Sequence, residues 1–149
     1  MRHLIFALQF KGMAGPVEGA EGKLWAKTSA SSQILRTTLA ASDIQAVVES
    51  AGGGSAAFES DVQFGADGTF LESGSIDYGA VGRVTFKTVG RGVLGPSGIP
   101  DLQRGAVIWE ITGGNRRLAG ATGLITSNFT VGAQGEVTDN HFAQIFLPS

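Results

Sequence analysis

Residues 58–88 decide the fold, and they read FESDVQFGADGTFLESGSIDYGAVGRVTFKT. Apolar and polar side chains alternate on both sides of the dipeptide Asp67-Gly68, a pattern that favours a β-hairpin with a tight turn. A two-residue turn of type I′ would place Phe64 opposite Leu71. The segment therefore predicts two antiparallel strands with one buried face and one solvent-exposed face.

This pairing predicts a strip of polar side chains within the apolar inner face. The inner apolar residues would be Phe58, Val62, Phe64, Leu71 and Phe86, and the inner polar residues Ser60, Ser73, Ser75 and Asp77. Glu72 would point outward, opposite Lys87.

A carboxylate among apolar side chains can have a raised pKa, which suits general acid–base chemistry. Asp77 is therefore a candidate catalytic residue, and the predicted ligand contacts on this face are Phe58, Phe64, Ser73 and Phe86. The alternative is that Asp77 lies solvated and inert beside the Tyr78 turn.

Composition supports an all-β protein made of one domain over residues 1–149. The 23 glycines separate short runs rich in Val, Ile, Phe and Thr, as expected for many strands joined by tight turns. A net charge of -2 argues against nucleic acid or an anionic membrane as a partner.

The sequence predicts neither a metal nor an organic cofactor. There is no cysteine, and His3 and His141 are too few for a typical zinc centre. The first residues resemble a strand more than a signal peptide, and no apolar run approaches the length of a membrane helix, so a cytoplasmic protein is expected.

Further strands are predicted along the rest of the chain, at residues 4–10, 24–29, 33–39, 81–94, 106–112, 124–131 and 136–147. Residues 42–50 are ambiguous, because Ser42-Asp43-Ile44-Gln45 has the spacing of a helix capping box. A short helix and another strand both stay open there. Together the segments predict an antiparallel β-barrel of about eight strands.

The last predicted hairpin holds the second candidate site. A turn at residues 132–135 would place Thr126, Asn128, Asp139 and His141 on one face. A carboxylate can orient an imidazole for proton transfer, so Asp139 and His141 are candidate catalytic residues and Asn128 a candidate ligand contact. The alternative is a hydrogen-bonded ladder on an outer or subunit-facing surface.

Trp109 and Glu110 are neighbours on an apolar strand and must face opposite ways. Trp109 is expected in the core or in a ligand-binding wall, and Glu110 at the surface or in an interface. An inward Glu110 would instead be a catalytic candidate, because a buried, unpaired carboxylate is costly.

Residues 111–123 read ITGGNRRLAGATG. The segment resembles the Thr-Gly-Gly-x-Gly-x-Phe-x-Gly-Ala-x-Gly signature of the allene oxide cyclase and dirigent barrel superfamily, with Arg116 and Leu118 where that family often has Gly and Phe. The resemblance implies an eight-stranded, calycin-like antiparallel barrel, often oligomeric, that binds or cyclises small hydrophobic molecules without a cofactor. No catalytic position of that superfamily aligns with this chain.

Two functional hypotheses follow. In the first, the protein binds a small hydrophobic metabolite and acts as a cofactor-free isomerase, cyclase or lyase through acid–base residues. In the second, it is a non-catalytic ligand carrier or an oligomeric scaffold.

A homodimer or homotrimer is also expected, because residues 142–147 read FAQIFL, with apolar side chains on both faces of the last strand.

Overall fold

A computed structural model describes residues 1–149 and contains nine β-strands and two short 3₁₀ turns. The strands are β1 Arg2–Pro16, β2 Lys23–Leu39, β3 Ile44–Phe64, β4 Thr69–Asp77, β5 Arg83–Thr88, β6 Gly92–Pro96, β7 Leu102–Gly114, β8 Thr122–Gly132 and β9 Glu136–Leu147. The 3₁₀ turns lie at Gly79–Val81 and Arg116–Leu118. None of the helical segments is long and apolar enough to cross a membrane.

The strands form one antiparallel sheet that closes on itself. The order is β3-β2-β1-β9-β8-β7-β5-β4, and β4 pairs again with β3 to complete a ring of eight. The short strand β6 follows β5 between β4 and β7, so β5 and β6 share one place in the ring. The all-β, barrel-like architecture predicted from the sequence is confirmed.

Residues 42–50 form no helix. From Ile44 onward they belong to β3, which pairs with the end of β2 as a long two-stranded ribbon. Asp43 explains why the capping signal misleads, since its carboxylate accepts a hydrogen bond from the backbone N–H of Ile44 within the turn. Asp and Ser make such local bonds in turns as readily as at helix starts.

The two ends of the ring differ in what fills them. The connections at residues 17–22, 65–68, 97–101 and 133–135 meet at one end, which we call the mouth. At the other end, the base, the buried side chains of Leu118 and Leu147 fill the interior, and the rings of Phe6 and Tyr78 make an edge contact at 5.5 Å. The base is packed, so the open space inside the ring lies toward the mouth.

The β3–β4 hairpin has a register one residue away from the predicted one. Phe64 pairs with Phe70 rather than Leu71, and the N–H of Gly65 donates to the carbonyl of Thr69 at 2.8 Å. The turn therefore has three central residues, the last of which, Gly68, has a φ of 79°. Three-residue turns of this kind end in a left-handed residue, and Asp-Gly suits them as well as the two-residue type.

A shift of one residue turns every side chain of β4 to the opposite face. Phe70, Glu72 and Ile76 are buried, whereas Leu71 and Ser73 are exposed. The predicted inward placement of Leu71, Ser73, Ser75 and Asp77 is wrong, and so is the predicted outward placement of Glu72.

The other two hairpins show the same one-residue error. Ser73 pairs with Lys87 rather than Phe86, and Ser127 pairs with His141. Strand β5 itself keeps its predicted faces, with Val84 and Phe86 buried. The turns in all three cases contain an odd number of central residues, whereas the sequence interpretation assumed an even number.

We predict that Gly135→Ala lowers the free energy of unfolding by about 2 kcal/mol, measured by urea denaturation. Gly135 has a φ of 84°, and an added Cβ would collide with the backbone carbonyl of Ala14. Gly52→Ala is the matched control, because its added Cβ would meet no neighbouring atom and its φ is not positive. Equal unfolding curves for the two variants would contradict this account of the turn.

Candidate functional site

Six buried polar side chains lie in the otherwise apolar interior of the ring. They are Thr28, Ser60, Glu72, Ser127, Asp139 and His141. They come from five different strands, so only closure of the ring brings them together. Buried polar groups are costly unless hydrogen-bonded, which makes this cluster the natural candidate site.

Glu72 accepts two hydrogen bonds inside the ring. Ser60 donates its hydroxyl to Oε2 at 2.6 Å, and Trp109 donates its indole N–H to Oε1 at 3.1 Å. Both partners are themselves buried. The two bonds hold the carboxyl group in one orientation toward the interior.

The backbone of Glu72 lies where β4 changes partners, from β5 at Ser73 to β6 at Phe70. The hydroxyl of Thr88 bridges this gap, accepting from the N–H of Glu72 at 2.7 Å and donating to its carbonyl at 2.8 Å. The break in the sheet therefore leaves no unpaired backbone group at Glu72.

Burial raises the pKa of Glu72 from its ordinary value of 4.5 to about 7. The negative charge of Asp139 raises this pKa further, while the hydrogen bonds from Ser60 and Trp109 oppose the rise. Near neutral pH the carboxyl group of Glu72 is therefore present both with and without its proton, as suits a group that donates a proton and takes it back.

Asp139 is the second buried carboxyl group. Ser127 donates its hydroxyl to Oδ1 at 2.5 Å, and Nε2 of His141 lies 2.9 Å from Oδ2. A hydrogen bond from Nε2–H to Oδ2 would fix the tautomer of the imidazole. The predicted pairing of Asp139 with His141 on one face is confirmed, but that face is the interior rather than an outer surface.

The imidazole of His141 is enclosed by aromatic rings. It stacks on Phe10 with a centroid distance of 4.2 Å and meets the edges of Phe58 and Trp109 at 5.5 and 5.1 Å. Its Nδ1 has no hydrogen-bond partner. The only side-chain contact of the imidazole with a polar group is therefore the one from Nε2 to Asp139, on the side of Asp139 away from the cavity.

A cavity of about 120 Å³ lies between these polar groups and the mouth. Glu72, Asp139, Ser127 and Thr28 supply part of its lining, and most of the rest is apolar, including Phe58, Val62, Phe64, Phe70 and Phe129. A 150 Å³ cavity in another protein holds benzene, so this space suits a group about the size of one six-membered ring.

Thr28 points to a ligand independently of the carboxyl groups. Its side chain is 6% exposed and lines the cavity, yet its hydroxyl has no hydrogen-bond partner. Unpartnered buried hydroxyl groups are rare because they lose their bonds to water. A polar atom of a bound molecule would satisfy this one.

Some predicted site residues lie in or beside this cavity. Phe58 and Phe64 line it together with Asp139, while Trp109 and Phe86 are buried behind it, where their rings approach to 4.5 Å. The expected inward position of Trp109 is confirmed.

The remaining predicted site residues lie on the outer surface. Asn128 and Ser73 are exposed. Glu110 also faces outward, as expected for the more ordinary of its two alternatives, and makes a 3.2 Å ion pair with Lys87.

Asp77 is an outer-surface carboxylate as well, with 41% of its side chain exposed. It lies 3.2 Å from the guanidinium of Arg83. A hydrogen bond from the N–H of Gly79, together with Arg83, holds the pKa of Asp77 below its ordinary value. Asp77 is therefore an ionised surface group, not the interior acid that the sequence predicted.

The sequence interpretation missed Glu72, Thr28 and Ser127 as site residues. A signal for Glu72 was present, because Phe70 and Ile76 share its face and are both strongly apolar, whereas Ser73, Ser75 and Asp77 share the other. The assumed turn length outweighed that signal. Ser127 was missed for the same reason, since the true register places it opposite His141.

Comparisons with models of protein families, with curated proteins and with solved structures find no match for this chain. The resemblance of residues 111–123 to the allene oxide cyclase and dirigent signature therefore stays a prediction. Arg116, at a position where that signature often has Gly, adopts a left-handed φ of 52°. Leu118, where the signature often has Phe, is 1% exposed.

We predict that Glu72 makes the protein less stable as the pH rises. The pKa of Glu72 is about 7 in the folded chain and near 4.5 when unfolded, so between these values the folded state binds more protons and stability falls with pH. By about pH 8 the free energy of unfolding is lower by about 3 kcal/mol than it is below the unfolded-state pKa of Glu72.

Glu72→Gln should remove this slope in urea unfolding measured from about pH 5 to about pH 8. Glu110→Gln is the control, because Glu110 is exposed and should leave the slope unchanged. Parallel curves for the wild type and Glu72→Gln would show that Glu72 is not a buried acid with a raised pKa.

Proposed function

We propose that this protein binds a small, mainly apolar molecule at the mouth of the ring and moves a proton on it by general acid–base catalysis. The observation that supports this most directly is that two carboxyl groups from different strands, Glu72 and Asp139, line one small cavity. The reaction class is isomerisation, cyclisation or elimination, in which proton transfer alone makes and breaks the bonds.

The two carboxyl groups suit different roles. Glu72, with its raised pKa, can hold a proton near neutral pH and donate it to a carbonyl or hydroxyl oxygen of the ligand. Asp139 is oriented by Ser127 and His141 and can accept a proton from carbon. Two titratable groups with different environments are a recurrent arrangement in acid–base enzymes.

The surroundings of the cavity favour this chemistry. Its apolar walls exclude water, which strengthens interactions between the carboxyl groups and a bound molecule. Thr28 offers a free hydroxyl to position a polar atom of the ligand. His141 and Trp109 act as positioning residues, since each holds one of the carboxyl groups by a hydrogen bond.

Hydrogen–deuterium exchange of cyclohexanone in D₂O tests the proposal, because the ring matches the cavity and exchange needs only an acid and a base. A base removes the proton next to the carbonyl while an acid protonates its oxygen, and the resulting enol takes up deuterium at carbon. We expect the wild type to exceed Asp139→Asn in exchange rate by about a hundredfold. Proton NMR follows the loss of the signal.

Glu72→Gln should also reduce the exchange, whereas Asp77→Asn should not, because Asp77 is an exposed carboxylate on the same strand. Cyclohexanone that binds without faster exchange would support the alternative, a non-catalytic carrier. Exchange that survives both interior substitutions would contradict the assignment of the site.

A further inference from the structure

The cavity contains acids and aromatic rings but no basic side chain. Phe58, Phe64, Phe70 and Phe129 contribute to its walls, and no Lys or Arg is among its lining residues. The one nitrogen-bearing side chain that contacts Asp139 is His141, whose Nε2 lies 2.9 Å from Oδ2. A bound molecule would therefore meet acidic groups and aromatic side chains.

We propose that the ligand carries a positively charged nitrogen, such as a protonated amine, on a small hydrocarbon body. This inference rests on the proposed site as a binding site only, because an ammonium group that pairs with Glu72 and Asp139 occupies the acid and the base, so such a ligand is bound without proton transfer. An ammonium group can bond to Glu72, Asp139 and the free hydroxyl of Thr28, and it interacts favourably with the faces of aromatic rings. An anionic group would face carboxylates with no counter-charge, at a high cost in this apolar space.

The charge of the cavity changes with pH through Glu72. The groups that face its carboxyl are Ser60 from β3, Trp109 from β7 and Asp139 from β9, and of these only Asp139 is acidic. His141 contacts Asp139 rather than Glu72. As the pH rises through about 7, Glu72 loses its proton, so a cationic ligand should bind more tightly.

Three compounds with the same ring test this inference by isothermal titration calorimetry: cyclohexylamine, cyclohexanol and cyclohexanecarboxylate. We expect the protonated amine to bind about tenfold more tightly than the alcohol, a modest fraction of one desolvated charge interaction. The carboxylate should not bind measurably. Affinity for the amine should rise between about pH 6 and about pH 8, while affinity for the alcohol stays constant.

Variants separate the ligand class from the site. Asp139→Asn and Glu72→Gln should each weaken the amine and leave the alcohol unchanged, while Asp77→Asn on the outer surface should change neither. Alcohol binding equal to or tighter than amine binding would overturn the cationic ligand but leave the cavity as a binding site. No binding of any of the three would overturn the site and the inference together.

An independent observation concerns the ribbon, defined as residues 33–50, where β2 and β3 extend beyond the ring. Most of its side chains are exposed, and Leu39 and Ile44 at its tip are 77% and 67% exposed. The register pairs Leu35 with Val48, Thr37 with Ala46 and Leu39 with Ile44, which together form one uncharged face. The opposite face holds the ion pair of Arg36 and Glu49.

A second, mainly apolar surface lies on the outside of the ring, across β1, β9, β8 and β7, with Glu110 at its edge opposite Leu124. We call it the wall patch, and its large apolar residues are Ile5, Ile108, Leu124 and Phe142, each between 43% and 57% exposed. Pairing brings Phe142 next to Thr126, and Thr126 next to Ile108. Within the chain, nothing covers either the ribbon or the wall patch.

We infer that the uncharged face of the ribbon covers the wall patch of a second copy of this chain. Both surfaces leave apolar side chains in water that a second copy would bury, and the acid at the edge of the wall patch, Glu110, already has Lys87 as its partner. The strand pair is irregular where the ribbon leaves the ring, because β2 and β3 lose register between Ser31 and Gln33, opposite Gly52-Gly53-Gly54. Such irregularities bend a pair of strands, which sets the direction in which the ribbon extends.

Light scattering coupled to size-exclusion chromatography tests this contact at micromolar concentration. The wild type should have a mass at least twice 15.3 kDa, and either Leu35→Arg in the ribbon or Phe142→Arg in the wall patch should reduce it to 15.3 kDa. Thr38→Arg is the matched control, since Thr38 lies on the other face of the ribbon. A monomeric wild type would overturn the inference, as would an oligomer that survives either of the first two substitutions.

Discussion

The pairing of β3 with β4 is the constraint on which the rest of the structure depends. It closes the ring, because β3 and β4 are the first and last strands of the order β3-β2-β1-β9-β8-β7-β5-β4 and pair with each other. A closed sheet leaves its interior side chains with no water to bind, so each polar group there must find a partner within the protein. The register of this one hairpin decides that Glu72, and not Asp77, is such a group.

The interior polar cluster carries a cost that packing alone does not require. An apolar residue at the position of Glu72 would need neither the Ser60 hydroxyl nor the indole N–H of Trp109 to offset its burial. Polar groups of this kind, adjacent to an open cavity and partly unsatisfied at Thr28, are typical of sites that bind and act on small molecules. The buried polar groups therefore cost stability near the mouth, while the packed base supplies the core.

Much of the architecture could be predicted from local sequence. Glycine-punctuated runs with period-two alternation indicated an antiparallel, barrel-like sheet, and they placed Phe58, Val62 and Trp109 correctly inside. The residues of the candidate site were only half predicted. Asp139 and His141 were recognised because they lie two residues apart on one strand, a relation that any register preserves. Glu72 was not, because its orientation depended on counting the residues of a turn.

What the sequence by itself determined is therefore the set of strands and the two-residue spacing that joins Asp139 to His141. Only the tertiary structure decided which face of β4 and β9 is interior, since a two-residue and a three-residue turn differ by one residue and a left-handed glycine such as Gly68 suits both. The tertiary structure also decided that Glu72 and Asp139 share a cavity. Strands far apart in sequence become neighbours across a ring only when the ring closes, and no local pattern records that distance.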